Sequence, residues 1–90
     1  MNFNHERNDF FGISDLVRLK KDTECYDFAN DDEKITLKAG TEMYVVDILS
    51  DDVVTIELYD GEHNYMADVR NEDIDLVKRG CTYFPDFKEL

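Results

Sequence analysis

The sequence predicts an all-β protein, a small five-stranded antiparallel barrel. Short runs in which apolar and polar residues alternate recur between positions 15 and 77, and this period is typical of strands with one buried face. Clusters of Asp, Asn and Gly separate the runs and favour turns. Ninety residues are enough for one hydrophobic core. A barrel is favoured because it leaves few strand edges exposed.

Each strand follows from its own pattern. Residues 15–21 alternate, with Val17 and Leu19 facing inward, whereas residues 41–50 are apolar on both faces, as expected of a bending central strand. Asp60-Gly61 is the strongest hairpin signal, because glycine readily takes a positive φ. The predicted strands are residues 15–21, 41–50, 53–59, 64–70 and 74–77.

Two short extensions flank the predicted barrel. We expect an N-terminal arm over residues 1–14, the barrel over 15–79 and an aromatic C-terminal tail over 80–90 that packs on the barrel. Five phenylalanines lie in these extensions. They either fold back over an open end of the barrel and enlarge the core, or form an apolar contact surface. They are Phe3, Phe10, Phe11, Phe84 and Phe87.

The net charge of −12, from 22 acidic and 10 basic side chains, limits the possible partners. Such a field repels nucleic acid and anionic membranes, and it attracts basic protein surfaces. The alternative is that the acidity only keeps a small protein in solution. The N-terminus carries no signal-peptide pattern, and Cys25 and Cys81 lack a paired spacing. A cytoplasmic protein with reduced thiols is therefore expected.

The segment from residue 22 to residue 33 is the strongest functional candidate. It holds six acids and no basic residue around two aromatic side chains, and we predict that it forms a long acidic loop. Its carboxylates would pair with Arg or Lys of a partner, and its aromatic rings would supply apolar or cation–π contacts. A simple solvated turn is the alternative. The predicted partner-binding residues are Asp22, Glu24, Tyr26, Asp27, Phe28, Asp31, Asp32 and Glu33.

Catalytic and metal chemistry find little support in the sequence. The two histidines, His5 and His63, are not placed with a recognisable nucleophile and orienting acid. Asp60, Glu62 and His63 do not follow a calcium or zinc spacing. The sequence therefore predicts a protein that is not an enzyme and holds neither cofactor nor metal.

Four segments resemble parts of SH3 domains: Tyr26–Phe28, Asp31–Glu33, Leu37–Gly40 and Glu72–Val77. The resemblance implies an SH3-like barrel in which Tyr26 and the acids of residues 22–33 would stand where SH3 domains contact peptides. Valines occupy positions 53 and 54, where SH3 domains carry a tryptophan. Val17–Lys20, with Leu37–Gly40 and Val45-Val46, is also similar to small bacterial SH3-like proteins.

Two functional hypotheses remain open at this point. The first is a small acidic binding module that engages a basic partner surface and inhibits or modulates that partner, as nuclease inhibitors, immunity proteins and DNA mimics do. The second is an SH3-like adaptor that holds a peptide or a subunit without inhibition. In either case we expect a monomer or a weak homodimer with no direct contact to nucleic acid or membrane.

Overall fold

The computed structural model describes residues 7–80, which form a single antiparallel sheet. Two short 3-10 helices, Phe28–Asn30 and Asn71–Asp73, interrupt the strands. The strands are β1 (Leu16–Leu19), β2 (Thr23–Asp27), β3 (Glu33–Leu37), β4 (Glu42–Ile48), β5 (Val53–Tyr59), β6 (Asn64–Arg70) and β7 (Ile74–Lys78). The all-β prediction is thus confirmed.

The seven strands lie in the order β3-β2-β6-β5-β4-β1-β7, so β3 and β7 are the edges of a sheet that is not closed. The five predicted strands correspond to β1, β4, β5, β6 and β7. Within residues 7–80 the count rises to seven because β2 and β3 add a hairpin. The predicted five-stranded closed barrel is therefore replaced by an open seven-stranded sheet.

The predicted loop over residues 22–33 is wrong for its first half, which forms β2. β2 pairs with β3 along its whole length, and it also pairs with β6 through Tyr26 and Asp27. Its inward positions are Thr23, Cys25 and Asp27, with Cys25 fully buried. Because a threonine, a cysteine and an aspartate occupy the inward positions, β2 lacks the apolar alternation by which β1, β4, β5, β6 and β7 are predicted.

The core lies on one face of the sheet. Val17 and Leu19 are buried, as their alternation predicts, whereas Leu76 and Val77 of the edge strand β7 are exposed. The buried apolar residues are Phe11, Val17, Leu19, Cys25, Met43, Val45, Ile48, Val54, Ile56, Ala67, Val69 and Ile74.

A β-bulge at Val46 keeps β4 on the core. Val45 pairs with Ile56 and Asp47 pairs with Thr55, so that Val46 has no partner in β5. The extra residue shifts the two-residue period by one. Val45 and Ile48, which differ in parity, therefore both point inward. The bulge explains why residues 41–50 look apolar on both faces in the sequence.

The described part of the N-terminal arm is attached to the sheet. Phe11 belongs to the core, whereas Phe10 is 62 % exposed. The buried Asn8 side chain accepts from the backbone N–H groups of Phe10 and Phe11 and donates to the carbonyl of Ser50 and to Asn71. The predicted contacts of Phe3, Phe84 and Phe87 lie outside the described residues. No helix in residues 7–80 is long and apolar enough to cross a membrane.

Candidate protein-binding surface

Asp27 joins the two turns at one end of the molecule. It is only 4 % exposed, and its two carboxylate oxygens accept four hydrogen bonds. Oδ1 accepts from the N–H groups of Ala29 and Asn64, at 3.2 and 2.9 Å. Oδ2 accepts from Asn30 Nδ2 at 2.8 Å and from His63 Nδ1 at 2.7 Å. The β2–β3 turn and the β5–β6 turn are therefore held side by side by one side chain.

The hydrogen bonds decide the charge of Asp27. Burial alone would raise the pKa of its carboxyl group, but the bonds from Asn64, His63, Asn30 and Ala29 outweigh burial and lower the pKa to about 2. The ionised form thus stabilises the fold. This contribution is present above the unfolded pKa of 3.8 and is lost as the pH falls towards about 2.

The pKa of His63 shifts in the opposite direction to that of Asp27. Its hydrogen bond to Asp27 raises its pKa, burial opposes this, and the charges of Asp27, Asp60 and Glu62 add to the increase. Its ring stacks on Tyr65, with centroids 5.3 Å apart. His63 is therefore the titratable cation among the acids of the two turns.

The β5–β6 turn contributes its own carboxylates. Asp60 Oδ1 accepts from the N–H groups of Glu62 and His63, at 2.9 and 2.7 Å, and these bonds lower the pKa of Asp60. The hairpin that Asp60-Gly61 predicts is confirmed, with φ of 96° at Gly61 and a four-residue connection between Tyr59 and Asn64. The Asp60 side chain thus organises the turn and leaves Glu62 exposed.

Acids of both hairpins act on the hydroxyl group of Tyr65 through their charges. Burial raises the pKa of its hydroxyl, and the charges of Asp27, Asp60 and Glu33 raise it further. Glu33 is the first residue of β3, directly after the β2–β3 turn, and Asp60 lies in the β5–β6 turn, so both hairpins contribute to one negative field. We call the exposed carboxylates of these turns the acidic end; its members are Asp31, Asp32, Glu33, Asp60 and Glu62.

The backbone of the β2–β3 turn suits its acids. Asp31 and Asp32 both have positive φ, 61° and 60°, a region that Asp and Asn tolerate better than most residues. The N–H of Asp32 donates to the carbonyl of Asp27 at 3.0 Å and closes the turn. Both side chains remain exposed. Within residues 7–80, no member of the acidic end forms an ion pair with Lys or Arg.

A shallow cleft of about 290 Å³ opens on the outer face of the sheet beside the first 3-10 helix. Tyr26 and Met66 face each other across β2 and β6, and Phe28 follows at the end of β2. Thr55 Oγ1 donates to Asp68 Oδ1 at 2.7 Å across β5 and β6. We call this the outer cleft; its lining residues are Tyr26, Phe28, Thr55, Met66, Ala67 and Asp68.

The predicted site residues lie in three different places in the structure. Tyr26 and Phe28 line the outer cleft, whereas Asp31, Asp32 and Glu33 lie in the acidic end. Asp22 lies at the other end of β2, about 16 Å from Asp27 at the usual rise of a strand. There its carboxylate accepts from the N–H of Ala39 at 2.8 Å.

Two further predicted site residues are already engaged within the fold. Glu24 forms an ion pair with Lys34 at 3.3 Å. The buried Asp27 uses both carboxylate oxygens inside the protein, so it holds the surface in place and offers a partner little contact area.

Several residues of this surface escape the sequence analysis. Asp60 enters the sequence-based predictions only as a hairpin residue and a possible metal ligand, Glu62 only as a possible metal ligand, and Met66 and Asp68 do not enter them. The alternation of β6 could have indicated the face on which Met66 and Asp68 lie. Nothing in the local sequence indicates that β6 pairs with β2, which is what brings these residues beside Tyr26 and Phe28.

Reactive groups on the described part of the chain are few. The thiol of Cys25 is buried, and its burial, followed by the charge of Glu24, raises its pKa to about 11. Such a thiol is a poor nucleophile at neutral pH. Among residues 7–80, no three His, Cys, Asp or Glu side chains are grouped so that they could hold a metal ion.

Comparison with known proteins identifies no relative of this chain. No protein-family model matches the chain, and the searches of curated proteins and of solved structures each gave no match. The arrangement itself combines exposed carboxylates with an aromatic cleft, a pairing suited to binding cationic groups of another protein.

Proposed function

We propose that this protein is a small acidic binding module that engages a basic surface of a partner protein and inhibits or modulates that partner. The observation that carries the proposal is the acidic end. Five exposed carboxylates from two turns distant in sequence lie together, and no Lys or Arg of residues 7–80 neutralises them.

The charge arrangement favours a cationic target. Like charges at close range repel one another, and a basic partner surface relieves that repulsion when it binds. An electrostatic field of this kind also steers encounter and raises association rates by about 10- to 1,000-fold at low salt. The alternative is that these acids only maintain solubility, and matched charge variants at the two ends of β5 distinguish the two.

The acidic end is also held in a fixed arrangement. Asp27 bonds to Ala29 and Asn30 in one turn and to His63 and Asn64 in the other. A surface that is ordered before binding loses less conformational entropy when the complex forms. This supports recognition of a folded partner whose basic groups have fixed positions.

Proteins that handle nucleic acids are the partner class with the most suitable surfaces, because they present Lys and Arg to phosphates. A protein that occupies such a surface competes with the nucleic acid. We therefore propose a nuclease, a toxin or a defence enzyme as the partner, with the acidic end in the place of phosphates. An SH3-like origin of the scaffold is part of this proposal.

A second candidate function is an SH3-like adaptor that holds a peptide or subunit without inhibiting it. The outer cleft favours this candidate, because Tyr26 and Phe28 present half-exposed aromatic rings there. Aromatic side chains of this kind anchor extended peptides in many binding modules. The two candidates differ in what happens to the partner's activity on binding.

The experiment begins with the immobilised full-length protein and an extract of its native host. Bound proteins are identified by mass spectrometry, and each is purified and assayed with and without the acidic protein. We expect a partner with a basic surface whose activity falls on binding and which is released in about 1 M salt, where the Debye length is about 3 Å. Retention in that salt contradicts the electrostatic proposal, and a partner whose activity is unchanged supports the adaptor.

Two matched variants locate the contact. Asp31→Asn/Asp32→Asn/Glu33→Gln removes three charges, and asparagine tolerates the positive φ of the turn. Its control, Asp9→Asn/Asp51→Asn/Glu72→Gln, removes the same charge from exposed residues at the other end of β5. We expect the first variant to associate at least about tenfold more slowly and the control to bind nearly as the unmodified protein does. Equal losses in both would show that only net charge matters.

A further inference from the structure

The outer cleft has a size and a chemical character that point to one kind of occupant. We propose that it receives a single arginine side chain of the partner, stacked against Tyr26 and Phe28 and paired with Asp68. This inference rests on the proposed function, because it names the group by which the basic partner would be recognised beside the acidic end.

The size of the cleft favours one side chain. Its volume of about 290 Å³ is at or below the small end of ligand pockets, which span roughly 300–1,000 Å³. It lies on the outer face of the sheet and not within the core, so an occupant can enter without opening the fold. A protruding side chain on a folded partner meets these conditions.

The apolar walls suit a flat cation. Tyr26 is 42 % exposed and Phe28 is 50 % exposed, so both rings offer area that a partner can cover. Met66 lies opposite Tyr26 and supplies a polarisable apolar floor. A guanidinium group over an aromatic face is attracted by the ring quadrupole, while its methylene stem covers apolar surface.

Asp68 supplies the charge complement. Thr55 donates to its Oδ1 and orients the carboxylate, whereas no described residue donates to Oδ2 or forms an ion pair with Asp68. Glu57, directly opposite Met66 in β5, adds a further carboxylate whose Oε2 accepts from Asn64. An anionic or neutral occupant would leave this negative field uncompensated.

Arginine fits these groups better than lysine does. The guanidinium is planar, weakly hydrated and able to present several N–H donors to a carboxylate while it stacks on a ring. The ammonium of lysine is a strongly hydrated point charge. The acidic end makes no such distinction, because its exposed carboxylates respond mainly to charge.

The test is an NMR titration of the full-length protein with two capped pentapeptides, Gly-Gly-Arg-Gly-Gly and Gly-Gly-Lys-Gly-Gly. We expect the arginine peptide to produce saturable shifts at Tyr26, Phe28, Met66 and Asp68. Its affinity should exceed that of the lysine peptide by about threefold. Asp68→Asn should weaken arginine binding about threefold, and Phe28→Leu should remove most of the preference for arginine.

Two variants outside the cleft serve as controls. Asp51→Asn removes an equal charge from the β4–β5 turn, and Phe10→Leu removes an exposed ring from the N-terminal segment. Both should bind the arginine peptide as the unmodified protein does. The amide spectrum of each variant shows whether its fold is intact.

Three outcomes would overturn the inference. One is equal affinity for both peptides with shifts confined to the acidic end, which leaves the proposed function standing. Another is the absence of saturable shifts in the cleft with either peptide. The third is shifts in the cleft that depend on protein concentration without peptide, which identifies a second copy of this chain as the occupant. The two proposals can also fail separately in the other direction. If the charge variants of the acidic end leave partner capture unchanged, the proposed function fails, but arginine-selective shifts in the cleft would still support the inference.

Discussion

Two buried carboxylates, Asp15 and Asp27, each join two separate segments of the chain, in two different regions of the molecule. Their hydrogen-bond partners differ. Asp15 accepts from the N–H groups of Gly12 and Gly80, at 2.8 and 2.7 Å, and from the guanidinium of Arg79 at 2.8 Å. It thereby joins the N-terminal segment to the end of β7. Asp27 joins the β2–β3 and β5–β6 turns, but its cationic partner is His63.

The difference lies in how the two cations respond to pH. Arginine stays protonated at every pH that proteins experience, whereas histidine titrates near neutrality. The Asp15 cluster is therefore a constant structural link. The Asp27 cluster lies beneath the acidic end, and its charge depends on the protonation of His63, whose pKa is raised by the hydrogen bond to Asp27. The comparison indicates that the pH-sensitive cluster of the two lies under the proposed recognition surface.

The largest expected effect is at Asp15. Asp15→Ala leaves the N–H groups of Gly12 and Gly80 without an acceptor and Arg79 without its carboxylate partner, so we expect the free energy of unfolding to fall by about 3 kcal/mol. Urea unfolding should show nearly the same loss at about pH 6 and about pH 8, because arginine does not titrate there.

Asp75→Ala is the matched control, because Asp75 forms only an exposed ion pair with Lys20 at 3.7 Å. Its effect should be below about 1 kcal/mol. A loss for Asp15→Ala that varies strongly between the two pH values would contradict the contrast between the two clusters.

The second prediction concerns His63. Because its folded pKa is raised above the ordinary histidine value of 6.5, its stabilising contribution is complete below that value and is lost as the pH rises through the folded pKa. The free energy of unfolding should therefore decrease from about pH 6 to about pH 8. His63→Gln keeps a hydrogen-bond donor but cannot titrate, and it should flatten this decrease.

His5 is the only other histidine in the chain, so His5→Gln provides the control. It should leave the pH dependence of unfolding nearly unchanged. If His5→Gln flattens the curve and His63→Gln does not, the pH sensitivity does not arise at the Asp27 cluster.

The smallest expected effect on stability is at the acidic end itself. Asp31→Asn/Asp32→Asn/Glu33→Gln removes mutual repulsion among exposed carboxylates, so the free energy of unfolding should stay within about 0.5 kcal/mol of the original or rise slightly. Thermal unfolding at low and high salt would measure it. A large loss would show that these carboxylates stabilise the turn, which would make any loss of partner binding uninformative about recognition.

Local patterns account for most of the strands but not for the hairpin at the candidate site. Val17, Leu19, Val54, Ile56, Ala67 and Val69 are buried as alternation predicts. β2 escapes recognition because its inward positions include a threonine and an aspartate, residues that the pattern assigns to solvent. Asp27 can lie there only because four donors from separate segments surround it.

The candidate site shows the same division. Tyr26, Phe28 and the acids of residues 31–33 stand out in the sequence as a cluster of aromatic and acidic side chains. Their neighbours Asp60, Glu62, Met66 and Asp68 belong to a hairpin that the sequence places far away. The pairing of β2 with β6 brings the two groups together, and strand pairing across such a separation leaves no periodic mark on either segment.

The sequence alone determined that the chain is all-β, where most of its strands lie and that acids far outnumber bases, because the two-residue period and the formal charge are local properties. Only the tertiary structure decided that the sheet is open, that Asp27 is buried and that two acidic turns share one end of the molecule. The physical reason is that these features depend on hydrogen bonds between strands distant in sequence, which form only when the whole chain has folded.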